Sequence, residues 1–475
     1  VSHCVSENEV HYNPRTWADE YFTTVARENG TISFNIWKNM GTNEITSISY
    51  STDDGETWNT TNNTNNKSEH LVITVNVSEG DKVMWKGDAT QLGCYDLDDD
   101  YGDAVGSFFS STCEFDAQGN VMSLLYGDSF KGKTTIDNEY AFCRLFSDYD
   151  IQKTCEIVNA KNLSLPATTL ASGCYYYMFS DCTSLTVAPE LPATTLASNC
   201  YYYMFTNCKS LTTLPELPAT TLEQGCYQGM FAGCANLTIA PVLPATSLTS
   251  HCYDSMFASC TSLTAAPELP ATTLTERCYY YMFSGCTSLT TAPVLPATTL
   301  ANYCYRSMFN GCTNLTTALE LPATTLANHC YSYMFRDCTS LTTAPVLPAT
   351  TLAEYCYEGM FQGCTSLTTA PELPATTLSD NCYWSMFKSC TSLTAAPELP
   401  ATALTKYCYR EMFYNSTNLN YIKAMFTTTP SSTYTQNWVS GVSASGTFVK
   451  NAAAQWDVTG VHGVPTGWTV ETASK

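Results

Sequence analysis

Along residues 165–424 the hydrophobic and polar positions repeat with a fixed period of 26. The segment LPATTLASGCYYYMFSDCTSLTVAPE runs from Leu165 to Glu190, and the same opening returns at Leu191, Leu217, Leu243, Leu269, Leu295, Leu321, Leu347, Leu373 and Leu399. Ten starts at one spacing with no insertion predict tiles stacked in a single register, because a unit this short cannot bury its own apolar face. The expected architecture is a solenoid.

Numbered from its opening leucine, each tile carries Leu at positions 1, 6 and 21, Tyr at 11, Met at 14 and Phe at 15, ten times of ten. These are the expected core columns, each residue stacking on its own copy in the next turn. Pro stands at position 2 in all ten tiles and at position 25 in most, Leu319 being one exception. Proline has no N–H to give to a ladder, so the pair brackets a corner between two short strands. Those strands are expected at ATTL and TSLT, which are rich in Thr and alternate in polarity. CYYYMFSDC, apolar at positions 10, 14, 15 and 18, is spaced for a helical turn. At a ladder spacing of about 4.8 Å, ten tiles predict a rod or shallow arc of roughly 50 Å.

Upstream, TISFNIW, ITSISYS and LVITVNV lie between about Trp17 and Gly87, separated by Gly, Asn and Asp clusters. They predict short antiparallel strands in a small β-sandwich over residues 1–94. Residues 95–164 are off the period but rich in β-formers and aromatics, and are expected to cap the N-terminal end of the stack. Residues 425–475, with three tryptophans, are expected to cap the other end.

The tile resembles the BspA-like leucine-rich repeats of bacterial surface proteins, in which a strand, a proline corner, a second strand and an aromatic-plus-cysteine turn ending in C-T-S-L follow one another. The resemblance spans residues 165–424. GTFVKN and GVPTGWTV in the tail, and the sandwich, are similar to segments that accompany such repeats in gut Bacteroidetes proteins and in phage-borne copies. The expected fold class is thus mainly β, a leucine-rich-repeat solenoid of ten tiles with terminal caps behind a small β-sandwich. The resemblance implies adhesion or recognition at a surface, and it carries over no catalytic residue.

Charge narrows the partners. The 475 residues hold 21 Lys and Arg against 43 Asp and Glu, a net charge of −22, which repels nucleic acid and anionic membrane surfaces. No apolar run approaches the roughly 18 residues of a membrane helix, so neither nucleic acid nor a membrane span is expected. The chain begins at Val1 rather than Met, so a start residue is expected upstream, and a signal peptide or lipobox there would mark a bacterial surface protein.

Of 24 cysteines, 19 occupy positions 10 and 18, from Cys174 and Cys182 to Cys390, with Cys408 alone because Ser416 holds the last place. Zinc needs clustered thiolates, and the spacing offers none, so no metal or cofactor is called for. A disulfide within each tile is conceivable, but the lone Cys408 argues against it. The favoured reading is two buried columns of free thiols.

Two motifs suggest chemistry and are read structurally. STDDGETW, Ser51 to Trp58, matches the Asp-box of sialidases, where Asp braces a hairpin and Trp packs behind it; a single box in a region poor in Arg is expected to be only that device. DLDDDYGD, with Asp96, Asp98 and Asp100, approaches a calcium loop, but Tyr101 stands where the glycine belongs and Ser107 where the bidentate acid belongs. A solvated acidic linker is the favoured reading. The six histidines show no constellation with a nucleophile or with one another.

Function is sought where the tiles differ. Positions 12 and 13 run Tyr176 and Tyr177, Tyr202 and Tyr203, Gln228 and Gly229, Asp254 and Ser255, Tyr280 and Tyr281, Arg306 and Ser307, Ser332 and Tyr333, Glu358 and Gly359, Trp384 and Ser385, Arg410 and Glu411. Changeable positions on a rigid repeat are expected to face solvent, and Tyr, Trp and Arg there are the composition of a binding hot spot. Tyr176, Tyr177, Tyr202 and Tyr203 are expected to form one aromatic patch, with Tyr280, Tyr281 and Arg306 a second group. The principal expectation is a non-enzymatic cell-surface or secreted adhesin of a gut bacterium that binds a host or bacterial surface protein or glycan. A virion fibre or receptor-binding protein on the same scaffold is the alternative. An ice-like threonine array is a weaker one, since TTL is expected to put one threonine on each face.

Overall fold

The computed structural model describes residues 17–36, 47–62, 71–89, 92–95, 104–147, 154–317 and 319–473. The first strands are β1 (Phe22–Ala26), β2 (Gly30–Ile36), β3 (Ser47–Ser51), β4 (Asn59–Asn62), β5 (Leu71–Val77) and β6 (Lys82–Asp88). They are followed by β7 (Gly93–Tyr95), β8 (Ala104–Gly106), β9 (Phe108–Ser111), β10 (Phe115–Asn120) and β11 (Ile157–Ser164). After the tiles come β12 (Tyr421–Ala424), β13 (Thr447–Lys450) and β14 (Thr469–Thr472). Among the described residues the one α-helix is the four-residue Ser123–Tyr126.

The N-terminal strands form the expected sandwich. A six-stranded sheet, in the order β11-β10-β1-β6-β3-β4, meets a three-stranded sheet, β5-β2-β9. Aromatic rings from both fill the space between: Phe22 lies 5.3 Å from Phe109, Trp85 lies 5.3 Å from Phe109, and Phe34 packs on both Trp85 and Phe109. The buried Trp85 indole N–H donates to Thr24 Oγ1 at 3.1 Å, so the largest ring leaves no orphan donor.

Strands β9 and β10, from the stretch expected to be cap, pair with β2 and β1. β11 pairs in parallel with β10 on one side, and on the other its Asn159 bridges Val187 of the first tile. Sandwich and solenoid therefore share a strand.

Within the tiles the core columns are where identity predicts. Leu at positions 1 and 21, Tyr at 11, Met at 14, Phe at 15 and both cysteine columns are buried throughout, and Leu at position 6 is buried in every tile but one, Leu326 being half-buried. The tyrosines stack ring on ring from Tyr175–Tyr201 at 5.6 Å to Tyr383–Tyr409 at 5.9 Å, and the phenylalanines run beside them.

Two local expectations are corrected. ATTL and TSLT do not form extended strands: neighbouring tiles touch through single parallel bridges, Thr169 to Thr195 at position 5 and Val187 to Thr213 at position 23. Each bridge is bordered on its corner side by a proline, at position 2 or position 25, which has no N–H to extend the ladder there.

The segment expected to be a helical turn is not helical. From Gly173 to Asp181 every second N–H crosses to the next tile: Tyr175 to the Cys200 carbonyl, Tyr177 to Tyr202, Phe179 to Met204 and Asp181 to Thr206. The intervening N–H groups of Tyr176, Met178 and Ser180 bond back within the tile, to Gly173, Tyr175 and Tyr177. A helix would spend every donor on itself and leave none to join the stack. The chain takes the alternating pattern by turning left-handed every fourth residue: positions 9, 13 and 17 have positive φ in all tiles, from 48° at Tyr203 to 75° at Gly233.

The same signature reveals degenerate tiles in the two flanks. Tyr140 and Arg144 have φ of 53° and 56°, and the N–H groups of Phe142, Arg144 and Phe146 bond to Cys174, Tyr176 and Met178. Phe142 stacks on Tyr175 at 5.8 Å and Phe146 on Phe179 at 5.0 Å, so both aromatic columns begin here. At the other end Phe413 donates to the Trp438 carbonyl, Asn437 and Gly441 take positive φ, and β12, β13 and β14 continue the position-23 column as a parallel sheet.

Candidate binding surface

The variable residues sit on the left-handed turns, and their placement differs from the expectation that they face solvent. Side chains at positions 12 and 13 are half-buried or buried in every tile, and Asp254, Ser307, Ser332, Glu358 and Ser385 are only 0–6% exposed. Rungs about 4.8 Å apart stand closer than the width of a side chain, so each is flanked by its neighbours. At position 13 the left-handed backbone also tilts the side chain over the next tile. The Tyr203 ring fills the space where a Cβ on Gly229 would lie, and the Tyr333 ring does the same over Gly359.

Tyr176, Tyr177, Tyr202 and Tyr203 come together as expected. Tyr176 stacks on Tyr202 at 4.6 Å and Tyr177 on Tyr203 at 5.4 Å, while Tyr176–Tyr177 and Tyr177–Tyr202 meet edge to face. Tyr140 of the degenerate N-terminal tile extends the cluster, and Arg144 lies 4.6 Å above Tyr177. Burial, then the neighbouring Tyr202 and Asp254, push the Tyr203 hydroxyl up to about 12, so it stays a neutral donor.

The second group is larger than expected and centred elsewhere. Tyr280 and Tyr281 touch at 4.5 Å, but Arg306 lies over Tyr303 and Tyr333, with its Nη1 3.0 Å from His329 Nδ1 and 3.9 Å from the Glu358 carboxylate. His329 is sandwiched between Tyr303 and Tyr355 at 4.7 and 4.4 Å. The Tyr333 hydroxyl donates to Glu358 at 2.9 Å, and Arg410 covers Trp384 at 4.4 Å. The sequence reading missed position 9, where Arg277, Tyr303, His329, Tyr355 and Tyr407 fall four residues before position 13 and share its turn.

His329 does contact a serine, Ser332 Oγ, at 3.2 Å, and the Glu358 carboxylate at 3.5 Å. Both contacts use the same ring nitrogen, Nδ1, whereas a relay needs both nitrogens, and Ser332 Oγ is buried and donates to the Tyr355 carbonyl at 2.7 Å. The arrangement is a structural network.

The Asp-box is the expected hairpin brace between β3 and β4. Ser51 Oγ and the Thr57 N–H donate to Asp53 Oδ1 at 2.7 and 2.9 Å, and Thr57 Oγ1 donates to Oδ2; these hydrogen bonds hold the carboxyl down at about 2. Trp58 packs on Tyr21 under the Lys86 ammonium. Asp96, Asp98 and Asp100 lie outside the described residues, and among those described no group of three or more His, Cys, Asp or Glu could hold a metal ion.

The cysteines explain themselves. Cys174 and every tile cysteine from Cys200 to Cys408 are free, buried thiols. At position 18 the thiol donates to the carbonyl of the preceding tile's position-15 phenylalanine, as from Cys208 to Phe179 at 3.0 Å, and Ser416 Oγ makes the same bond to Phe387 at 2.7 Å.

Stacked tiles, buried leucine columns and this donor at the turn define a leucine-rich-repeat solenoid. The family model described as BspA type leucine rich repeat region matches the chain in 6 copies, over residues 151–290, 250–394 and 305–437, and the chain belongs to that family. Such repeats are generally non-enzymatic scaffolds of surface or secreted proteins and suggest a role in protein interaction. No helix among the described residues is long and apolar enough to cross a membrane. The virion alternative finds no support, and no curated protein matches the chain.

Proposed function

We propose that the chain is a non-enzymatic adhesion or recognition protein whose tiles bind a host or bacterial surface protein or glycan. The observation that supports this most directly is the single cluster made by Tyr176, Tyr177, Tyr202 and Tyr203, half-buried, so that the rings are held rigid while part of each remains open to a partner. Pre-ordered tyrosines lose little entropy on binding and can stack on a sugar ring or on an apolar anchor. The net charge of −22 favours neutral or basic ligands. Tyr280, Tyr281, Arg306, Tyr333, Trp384 and Arg410 extend the same side of the coil over the later tiles, with Arg306 and Arg410 acting as ring-covering cations.

The test is binding to mucin, to an array of neutral glycans and to host epithelial cells. Tyr176→Ser with Tyr202→Ser should weaken binding about tenfold or more, with the fold checked by circular dichroism and melting. Position 12 is chosen because the position-13 ring of Tyr203 also covers Gly229. Deleting residues 1–94 would strip β1 from β10, so the sandwich is better tested by Trp58→Ala. Binding that survives the tyrosine pair and disappears with Trp58→Ala would move the site to the sandwich.

A further inference from the structure

The opposite side of each tile carries a second surface. Positions 21–26 and 1–6 surround the proline corner, and from Leu185 to Glu398 their charged residues are Glu190, Glu216, Glu268, Glu320, Glu372 and Glu398, with no Lys, Arg or Asp. Position 26 also places Val242, Val294 and Val346 at 75–80% exposure, far more open than an aliphatic side chain needs to be. Departures from the consensus gather between the second and third tiles. Leu214 stands where Ala is usual, and Ile239, 76% exposed, stands where Thr is usual.

These residues shape the corner. The two grooves that share Leu214 hold about 590 and 580 Å³, while the groove with Ala266 at that position holds about 280 Å³. The larger is walled by Leu214, Pro215, Ile239, Pro241 and Val242, and rimmed by Glu216.

We infer that the groove between the second and third tiles is a second docking site, taking an aliphatic side chain from an extended, cationic polyproline-II segment of a partner protein. Three features select that occupant. Its charge complements Glu216, the charged residue in the lining of this groove, whereas the adjoining groove that shares Leu214 also carries Lys161. Prolines on both walls offer no N–H, so a partner cannot add as a β-strand and must keep its own backbone hydrated, as polyproline II does. The groove, about 590 Å³ between proline-bearing walls, has room for an aliphatic side chain presented by an extended segment. The site is independent of the tyrosine face.

The experiment uses the whole chain and a fluorescein-labelled peptide of repeated Pro-Leu-Pro-Lys, read by anisotropy. Leu214→Ala, Ile239→Thr and Val242→Glu together give this corner the residues its neighbours already carry, so the fold is retained. The added glutamate alone would tighten a cationic peptide, whereas loss of the apolar anchor should weaken it about tenfold or more. That weakening, with normal binding to the Tyr176→Ser and Tyr202→Ser variant and poor binding of the Pro-Ala-Pro-Lys and Pro-Leu-Pro-Glu peptides, is the expected result. Absence of peptide binding, equal binding by the triple variant, or equal binding of either control peptide overturns the proposal. So does a dimer in sedimentation that the triple variant abolishes, since the occupant would then be a second copy.

Discussion

Position 11 and position 13 are two residues apart in every tile and obey opposite rules. At position 11 tyrosine repeats ten times, and each ring stacks on its own copy at 5.6–5.9 Å, with interplanar angles as low as 2°. At position 13 three of the four tyrosines are followed by a small residue, Tyr203 by Gly229, Tyr281 by Ser307 and Tyr333 by Gly359, while Tyr177 is followed by Tyr203 and stacks on it. The first column points into the core, where a ring has one rigid neighbour on each side. The second lies along the axis, so each residue needs room in the next tile. Invariance marks self-complementarity, and variation here marks pairwise complementarity rather than free drift.

The strongest challenge to that contrast is a truncation in the invariant seam. Phe283, fully buried between Phe257 and Phe309, should lose roughly 3–5 kcal/mol on Phe283→Ala, since neither neighbour can close the gap without breaking its own stack. Tyr281→Ser, two residues away on the variable side, should lose much less. Urea unfolding of the two variants checks the difference, and equal losses would erase the distinction between the columns.

Pairwise complementarity predicts coupling. A Cβ on Gly229 would lie 2.3 Å from the Tyr203 ring, on a backbone with φ of 60°. Gly229→Ala should therefore destabilise by about 2 kcal/mol, from the clash and the left-handed turn together. In a Tyr203→Ser background the clash is gone, and the loss should shrink by about 1 kcal/mol. Additive losses in the four-member cycle would show that Tyr203 and Gly229 vary independently.

The parts legible in the sequence were those that depend on a residue repeating its own identity: the period, the leucine, methionine and aromatic columns, the thiol columns and the Asp-box. The turn was misjudged because apolar spacing cannot distinguish a helix from a chain that alternates its donors. The overlooked signal was position 17, which carries only Asp, Asn, Gly or Ser, the residues most at ease in a left-handed turn. The flanking degenerate tiles were hidden by irregular spacing, since Phe142 precedes Tyr175 by more than one period. TTL was also misread: Thr194 and Thr195 are both exposed, because a single bridge does not impose the alternation of a strand. At the variable face, residue type located the tyrosine cluster, but the His329–Glu358–Arg306 network joins three tiles through side-chain reach that no periodicity records.

Burial on the variable side has a signature in pH. Burial pushes the Asp254 carboxyl up from its ordinary 3.8 to about 6, against the opposing pull of the Ser255 hydroxyl and Arg277. The folded chain therefore holds this proton more tightly than the unfolded chain. Its contribution is complete below about pH 4 and is lost as pH rises through about 6, on the order of 2 kcal/mol. His251, held below its ordinary 6.5 by burial and by Arg277, acts in the reverse sense, contributing at higher pH and losing that contribution as pH falls. The difference between the native chain and Asp254→Asn isolates the carboxyl: the variant should gain on the native chain between pH 4 and pH 7. A difference independent of pH would show that Asp254 is solvated, as a freely exposed variable residue would be.

The smallest expected effect concerns position 18, which is nearly invariant yet owes that to one hydrogen bond. Cys286 is fully buried, burial pushes its thiol up to about 12, and Sγ donates to the Phe257 carbonyl at 3.1 Å. Cys286→Ala should lose about 1 kcal/mol, the value of a modest buried bond and a small side chain. Cys286→Ser should lose less, because Ser416 already makes the same bond to Phe387 in the last tile, at 2.7 Å. The native thiol should also resist iodoacetamide until the chain unfolds, since a thiolate is scarcely populated at neutral pH. Native-state alkylation at Cys286, or a serine variant as unstable as the alanine one, would show that the column is held by something other than its donor, and would place it with the variable turn instead of the core.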